Sequence, residues 1–279
     1  MGVVASLMSD QEKRRRGDSF VPIRNSGRIF LTGGTGFLAL RVAEALLDAG
    51  AAVTLLVRPD TEERLAALRD QIEVVTADVW NPGSLRGRAR GHAAVVHLMG
   101  GVKPDPKRGL TFRQLNFVSA RNVTAMAVND GVPHMVFLSA AANPPGLPID
   151  YIESKREAER YLQKSGLAWT ILRAPPLYIP GGQRSPLYAV ASLLARIPLL
   201  GMPFRPYAPL SALRMARGIA VLALTGDSHT NRLIRAGELR QIGRRAERQI
   251  VPTRHAPPIR VVRTEGAEDE PPFGWLPGG

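Results

Sequence analysis

The chain contains no cysteine. That absence excludes disulfides, thiolate metal sites and cysteine nucleophiles together, and it agrees with a cytoplasmic or other reducing compartment. Aromatic residues are scarce, and Trp80, Trp169 and Trp275 form no recognisable stacking series. No run of roughly 18 apolar residues occurs, so no segment reads as a membrane-spanning helix. The N-terminus lacks the apolar stretch of a secretory signal. Histidines are few, and His92, His97, His134, His229 and His255 lack metal-ligand spacing. They read as packing or surface residues.

Acidic residues are too few to balance the basic ones, and the net charge is +13. From Arg232 to Arg263 nine arginines face only Glu238 and Glu247. The first 29 residues hold six basic side chains, including Lys13-Arg14-Arg15-Arg16, against Asp10, Glu12 and Asp18. Near the C-terminus, Glu265, Glu268, Asp269 and Glu270 reverse the sign. Basicity gathered in the termini suits an anionic partner, either a protein complex or an anionic membrane surface, with nucleic acid the least favoured. A solvated charge run is the plainer alternative. Met1-Gly2-Val3-Val4-Ala5-Ser6 matches the myristoylation pattern, which would make the chain peripheral at a membrane.

From residue 28 onward, short apolar runs alternate with helical patterns. Strands are expected at Arg28–Thr32, Val53–Val57, Ile72–Thr76, Ala94–Met99, Met135–Ser139 and Ala168–Leu172. Continuous apolar runs of this kind suit strands buried on both faces of a parallel sheet. Ala39, Val42, Ala43 and Leu46 recur at helical spacing, and Gly50 stops that helix. A long helix is expected from about Thr111 to Asp130, and another from about Asp150 to Ser165. The succession implies an α/β fold with a doubly wound parallel sheet. After Arg173 a run of prolines and glycines interrupts the rhythm. Helical stretches near Leu187–Leu200 and Ser211–Leu224 and a last strand at Arg232–Ile234 follow. The expected division is a basic tail over 1–26, a nucleotide-binding domain over 27–173, a small helical region over 174–242 that completes the fold, and an irregular Arg/Pro-rich tail over 243–279.

Between the first strand and its helix stands Thr32-Gly33-Gly34-Thr35-Gly36-Phe37-Leu38-Ala39. Two glycine-rich frames fit it, and both end on Ala39. Gly33 and Gly34 permit a tight turn. Gly36 lets the backbone approach a pyrophosphate resting on the helix N-terminus. The last small residue governs only helix packing, so alanine is compatible with binding. Thr32 to Leu38 are therefore the expected cofactor cradle. Arg58 follows the second strand where an NAD site commonly has an acid, and a guanidinium suits a 2′-phosphate. NADP(H) is favoured over NAD(H). Asp60 lies two residues beyond Arg58. Asp78 follows the third strand and reads either as an acceptor for the adenine amino group or as a turn aspartate.

Tyr151 and Lys155 stand four residues apart on the buried stripe of a helix, with Ala158 and Leu162. A buried ammonium needs partners, and a cofactor ribose together with the tyrosine would serve, so Lys155 is an expected cofactor-binding residue as well. Beside a tyrosine, whose ordinary pKa is ~10, it favours the phenolate and makes the hydroxyl a usable acid–base group. Ser139 ends the preceding strand and is placed to bond a reacting oxygen.

The turn Thr32–Ala39, Arg58, Asp78, Asn116 in "LNFVSARNV", Ser139 and the Tyr151/Lys155 pair together resemble the short-chain dehydrogenase/reductase superfamily over residues 28 to about 235. The run "YIESKREAERYLQKSGLAWTILRAPPLY" is most similar to its atypical and extended branches. These include epimerase/dehydratase-like proteins and the nucleotide-binding accessory subunit of respiratory complex I. The resemblance implies a Rossmann-type fold, bound NAD(P)(H), catalytic Ser139, Tyr151 and Lys155, and a structural or relay role for Asn116. The expected activity is reduction or oxidation of a small carbonyl or hydroxyl substrate. The alternative is a non-catalytic, nucleotide-stabilised accessory subunit of a membrane-associated complex. Departures fall on the substrate side. Arg173–Pro180 lacks the glycine of the usual Tyr-Gly-Pro run, and Arg214 and Met215 stand near the place of a usual acid.

Overall fold

The computed structural model describes residues 27–250 apart from 59–60, 106, 108, 145, 180–206 and 227–229. Asp60, the expected helix over 187–200 and both tails as far as 1–26 and 251–279 lie outside the described residues. Strands β1 (Arg28–Thr32), β2 (Ala52–Val57), β3 (Glu73–Thr76), β4 (Ala94–His97), β5 (His134–Ala140), β6 (Ala168–Ala174) and β9 (Arg232–Arg235) form one sheet. Their order is β3-β2-β1-β4-β5-β6-β9, and every neighbouring pair is parallel. This is the doubly wound α/β arrangement. The strand order reverses direction between β1 and β4, so the crevice that takes ligands in such sheets opens above Thr32 and His97. Strands β7 (Leu177–Tyr178) and β8 (Leu210–Ser211) make a separate parallel pair.

Helices cover both faces because the central strands are apolar on both sides. Leu31, Val96, Val136 and Leu138 meet α1 (Phe37–Asp48) and α5 (Ala212–Leu224) in one buried cluster. Phe30, Val95, Met135 and Phe137 meet α3 (Ser119–Asn129) and α4 (Ile149–Gln163) in the other. Helix α2 (Pro82–Leu85) is a single turn, capped by Asn81 accepting from the Gly83 amide. Between β2 and β3 the chain forms a 3₁₀ segment, Glu62–Gln71. Its edge neighbour β3 is only half-buried.

Two element boundaries differ from the sequence expectation. The long helix expected from Thr111 opens as a π-helical segment, Arg113–Val118, before continuing as α3. The region past Ile242, expected to be irregular, continues as α6 (Ala236–Gln249). Its buried face carries one large apolar residue, Leu239, beside the small Ala236, Gly243 and Ala246, and so leaves a weak apolar signal. Small residues bring α6 close to α5. A Cβ on Gly218 would lie 3.5 Å from the Gly243 Cα.

Candidate functional site

The site begins at the end of β1. Gly33 and Gly34 have φ values of 134° and 56°, a region that disfavours other L-residues. A Cβ on Gly33 would lie 3.1 Å from the Leu98 Cβ and 3.3 Å from the Ala39 Cβ. Ala39 thus packs against the turn, which is the role expected of that position. Around Gly34, by contrast, a Cβ would meet nothing within 4 Å. The Gly36 amide donates to the Gly33 carbonyl (3.2 Å), and Gly36 opens α1 with no side-chain cap and no acid in the first turn. Uncapped first-turn amides and an open, glycine-lined approach fit the pyrophosphate of a dinucleotide. Thr35 and Phe37 are half-buried, and Leu38 is buried beneath the turn.

Thr32 lies beside β4, in register with His97. Its hydroxyl and the His97 Nδ1 are 2.6 Å apart, and both residues are fully buried. His97 stacks on Phe137 with ring centroids 5.8 Å apart. On the same Phe137 ring, the Lys155 ammonium stands 5.4 Å from the centroid. A buried column therefore runs from the nucleotide turn across β4 and β5 to α4. Burial, reinforced by the Lys155 charge, pushes the His97 pKa down to about 3, which keeps the ring neutral. The sequence marks His97 only as a packing or surface residue, and it is a packing residue at the site. Its one available signal was its position, closing an apolar strand beside the glycine turn.

Lys155 is wholly buried and donates to the carbonyls of Leu138 (3.3 Å) and Met99 (3.5 Å). Burial pushes its pKa down to about 7, Glu159 opposing and Arg156 adding to the shift. Gly100 and Asn116 flank it. A Cβ on Gly100 would overlap the Lys155 Nζ and come within 2.7 Å of the Asn116 Oδ1. Asn116, inside the π segment, accepts from the Gly101 amide (3.2 Å) and donates to the Ser154 hydroxyl (3.1 Å). It thereby joins the loop after β4 to α4.

Tyr151 occupies the same face of α4, one turn before Lys155. It is fully buried with Val102, Phe112 and Ala140, and Phe112 meets its ring edge-on at 5.8 Å. Its hydroxyl is enclosed as well. Ser139 sits on β5, one residue before Ala140. Its hydroxyl donates to Glu159 Oε1 (2.5 Å) and accepts from Arg156 Nη1 (3.1 Å). The structure therefore brings Tyr151 and Lys155 onto one buried face and commits the Ser139 hydroxyl to an acid further along α4.

The remaining expected residues lie toward the sheet edge. Arg58 is exposed immediately after β2. Asp78 Oδ1 accepts from the Trp80 amide (2.9 Å) inside its own loop, the geometry of a turn aspartate. Among the described residues no cluster of histidine, aspartate and glutamate is arranged to hold a metal.

A family profile described as NAD(P)H-binding matches residues 33–189, more than half of the chain, and the protein belongs to that family. The chain is 31% identical over 185 residues to a ceramide reductase of Caulobacter vibrioides, covering 62% of this chain and 57% of the relative. It therefore spans little more than half of that relative's length. It is 27% identical over 149 residues to the photosystem II assembly factor Ycf39 of Synechocystis sp., covering 52% and 44% of the two chains. Among solved structures it is similar to a dTDP-glucose 4,6-dehydratase from Streptomyces venezuelae with NAD bound. That match has a TM-score of 0.55 and 21% identity, covering 75% of this chain and 74% of the other. It shows a shared nucleotide-binding fold. Among the described residues no helix is long and apolar enough to cross a membrane.

Proposed function

We propose that this NAD(P)-binding protein is a reductase that uses NADP(H) in preference to NAD(H) and acts on a small carbonyl or hydroxyl substrate. The reading is carried by Lys155, a buried cation one helical turn from Tyr151, beside the end of the strand that faces the nucleotide turn. A reductase among its relatives supports the reaction class. When bound, the nicotinamide supplies the hydride. Thr32 to Leu38 would hold the pyrophosphate, Arg58 would meet a 2′-phosphate, and Asp78 would accept from the adenine amino group. Tyr151 delivers its hydroxyl proton to the substrate oxygen, and the Lys155 ammonium stabilises the phenolate left behind. Val102, Phe112 and Ala140 pack around Tyr151, so on this reading substrate access requires that packing to part. Ser139 orients the substrate oxygen only by exchanging its bond to Glu159.

A second reading, a nucleotide-stabilised accessory protein without turnover, is favoured by the enclosed Tyr151 hydroxyl and the committed Ser139 hydroxyl. The relative named as an assembly factor agrees with it. Both readings are tested by mass spectrometry of nucleotide released from purified protein, followed by NADPH oxidation on a panel of carbonyl compounds. Release of NADP(H) with turnover supports the reductase. Bound nucleotide with no turnover on any member of the panel, including long-chain ketones, supports the accessory role.

A further inference from the structure

One turn beyond Lys155 on α4 lies a second buried charge that the proposed reaction does not use. Glu159 is 3% exposed, and the i, i+4 spacing places it on the same helix face as Lys155. A carboxylate this deep requires paired donors. Arg173 of β6 supplies a bond to Oε2 (2.6 Å) and a second through Nε to Oε1 (3.1 Å). Arg156 Nη1 and the Ser139 hydroxyl each reach Oε1 at 2.5 Å. The acid thus ties together α4, β5 and β6 at their shared end.

Arg156 has a second task. Its Nη2 donates to the carbonyl of Ala140 (2.9 Å) and reaches that of Ala141 (3.4 Å), while Lys155 holds the carbonyl of Leu138. Consecutive basic residues on α4 thus grip the end of β5 that shelters Tyr151. Two cations, Arg156 and Arg173, bond this one acid, and a third, Lys155, lies one turn before it on the same buried helix face. In a water-poor interior such charges act on one another over several ångströms.

We infer that Glu159 is a positioning residue that sets the charge of Lys155, that Arg156 opposes it, and that the Ser139 hydroxyl serves this carboxylate. The inference rests on the proposed role of Lys155 but is read out without turnover. Among the described residues, the other groups facing Lys155 carry no further fixed charge that is not already bound to this acid. His97 on β4 is held neutral, Asn116 is uncharged, Tyr151 on the same helix is the proposed proton donor, and Arg173 is bound to Glu159 itself. The negative charge of Glu159 favours the Lys155 ammonium, and the positive charge of Arg156 disfavours it. Their removal must therefore move the Lys155 titration in opposite directions.

The chain has only five lysines, Lys13, Lys103, Lys107, Lys155 and Lys164, so selective 13C labelling resolves each side chain by NMR. Loss of one signal in Lys155→Met assigns the site. In the full-length protein, Glu159→Gln is expected to lower the Lys155 midpoint by about one pH unit, and Arg156→Gln to raise it by about as much. Glu159→Asp keeps the charge and is expected to keep the midpoint near that of the wild type. A midpoint that stays put or rises in folded Glu159→Gln, or falls in Arg156→Gln, overturns the inference. If Glu159→Gln does not fold, Arg156→Gln decides alone, because that side chain is partly exposed. Opposite shifts in a protein that turns over no carbonyl substrate would sink the reductase reading and leave this one standing.

Discussion

Gly100 lies directly against Lys155: any side chain at that glycine would occupy the space of the ammonium and press on the Asn116 carboxamide. The loop after β4 therefore has to be bare for the lysine to dock on the Met99 and Leu138 carbonyls. Gly100→Ala should displace Lys155 and cost roughly 1–3 kcal/mol through overpacking. Urea unfolding followed by far-UV circular dichroism measures the loss. A variant as stable as the wild type would show that the loop can yield.

Tyr151→Phe removes the proposed proton donor and leaves the ring packed against Phe112. NADPH turnover should fall by about 10²-fold or more, with nucleotide affinity unchanged. Stopped-flow turnover and fluorescence titration separate the two effects. Retention of full activity would transfer the proton donor to another group.

Arg58 is exposed immediately after β2. Arg58→Ala should weaken NADPH binding by roughly 10-fold, the scale of one charge-assisted contact, and leave NADH binding unaffected. Parallel titrations with the two nucleotides make the comparison. Equal losses for both would place the arginine elsewhere on the ligand.

The pH dependence follows from two buried bases with lowered pKa values. Proposed turnover needs the Lys155 ammonium, so it should decline as pH rises through about 7. Stability moves the other way. The folded Lys155 sheds its proton near 7 and the unfolded lysine near ~10.4, so stability rises with pH across that window. His97 binds a proton near 3 when folded and near ~6.5 when unfolded, so stability falls as pH drops between those values. Calorimetry of Lys155→Met should show a higher melting temperature at pH 6, through relief of a buried charge, and no rise between pH 7 and 10. A persisting rise would assign that window to another group.

Gly243 on α6 faces Arg214 on α5, and a Cβ there would lie 2.9 Å from the Arg214 carbonyl oxygen. Gly243→Ala should separate the helices and loosen the Arg214–Glu247 bridge (3.1 Å). A loss of roughly 1–3 kcal/mol is expected in chemical denaturation, without change in nucleotide affinity. Weakened nucleotide binding would mean that α5 transmits the strain to α1.

Local physics decided much of this protein from its sequence. Apolar runs at Val53–Val57 and Met135–Ser139 can be satisfied only inside a covered sheet. The glycines after Thr32 permit φ values that few other residues adopt, and four-residue spacing puts Tyr151 and Lys155 on one face. The helix past Ile242 was not legible, because Gly243 and Ala246 are selected for close approach and carry little hydrophobic signal.

Tertiary structure alone decided the rest. Four-residue spacing along one helix cannot say which hydroxyl reaches which acid, and Ser139 finds Glu159 only because β5 and α4 pack together. His97 meets Thr32 across 65 positions of chain because parallel register aligns the ends of β1 and β4. The charge state of Lys155 belongs to the same class, since desolvation and neighbouring ions exist only once the layers have closed around it.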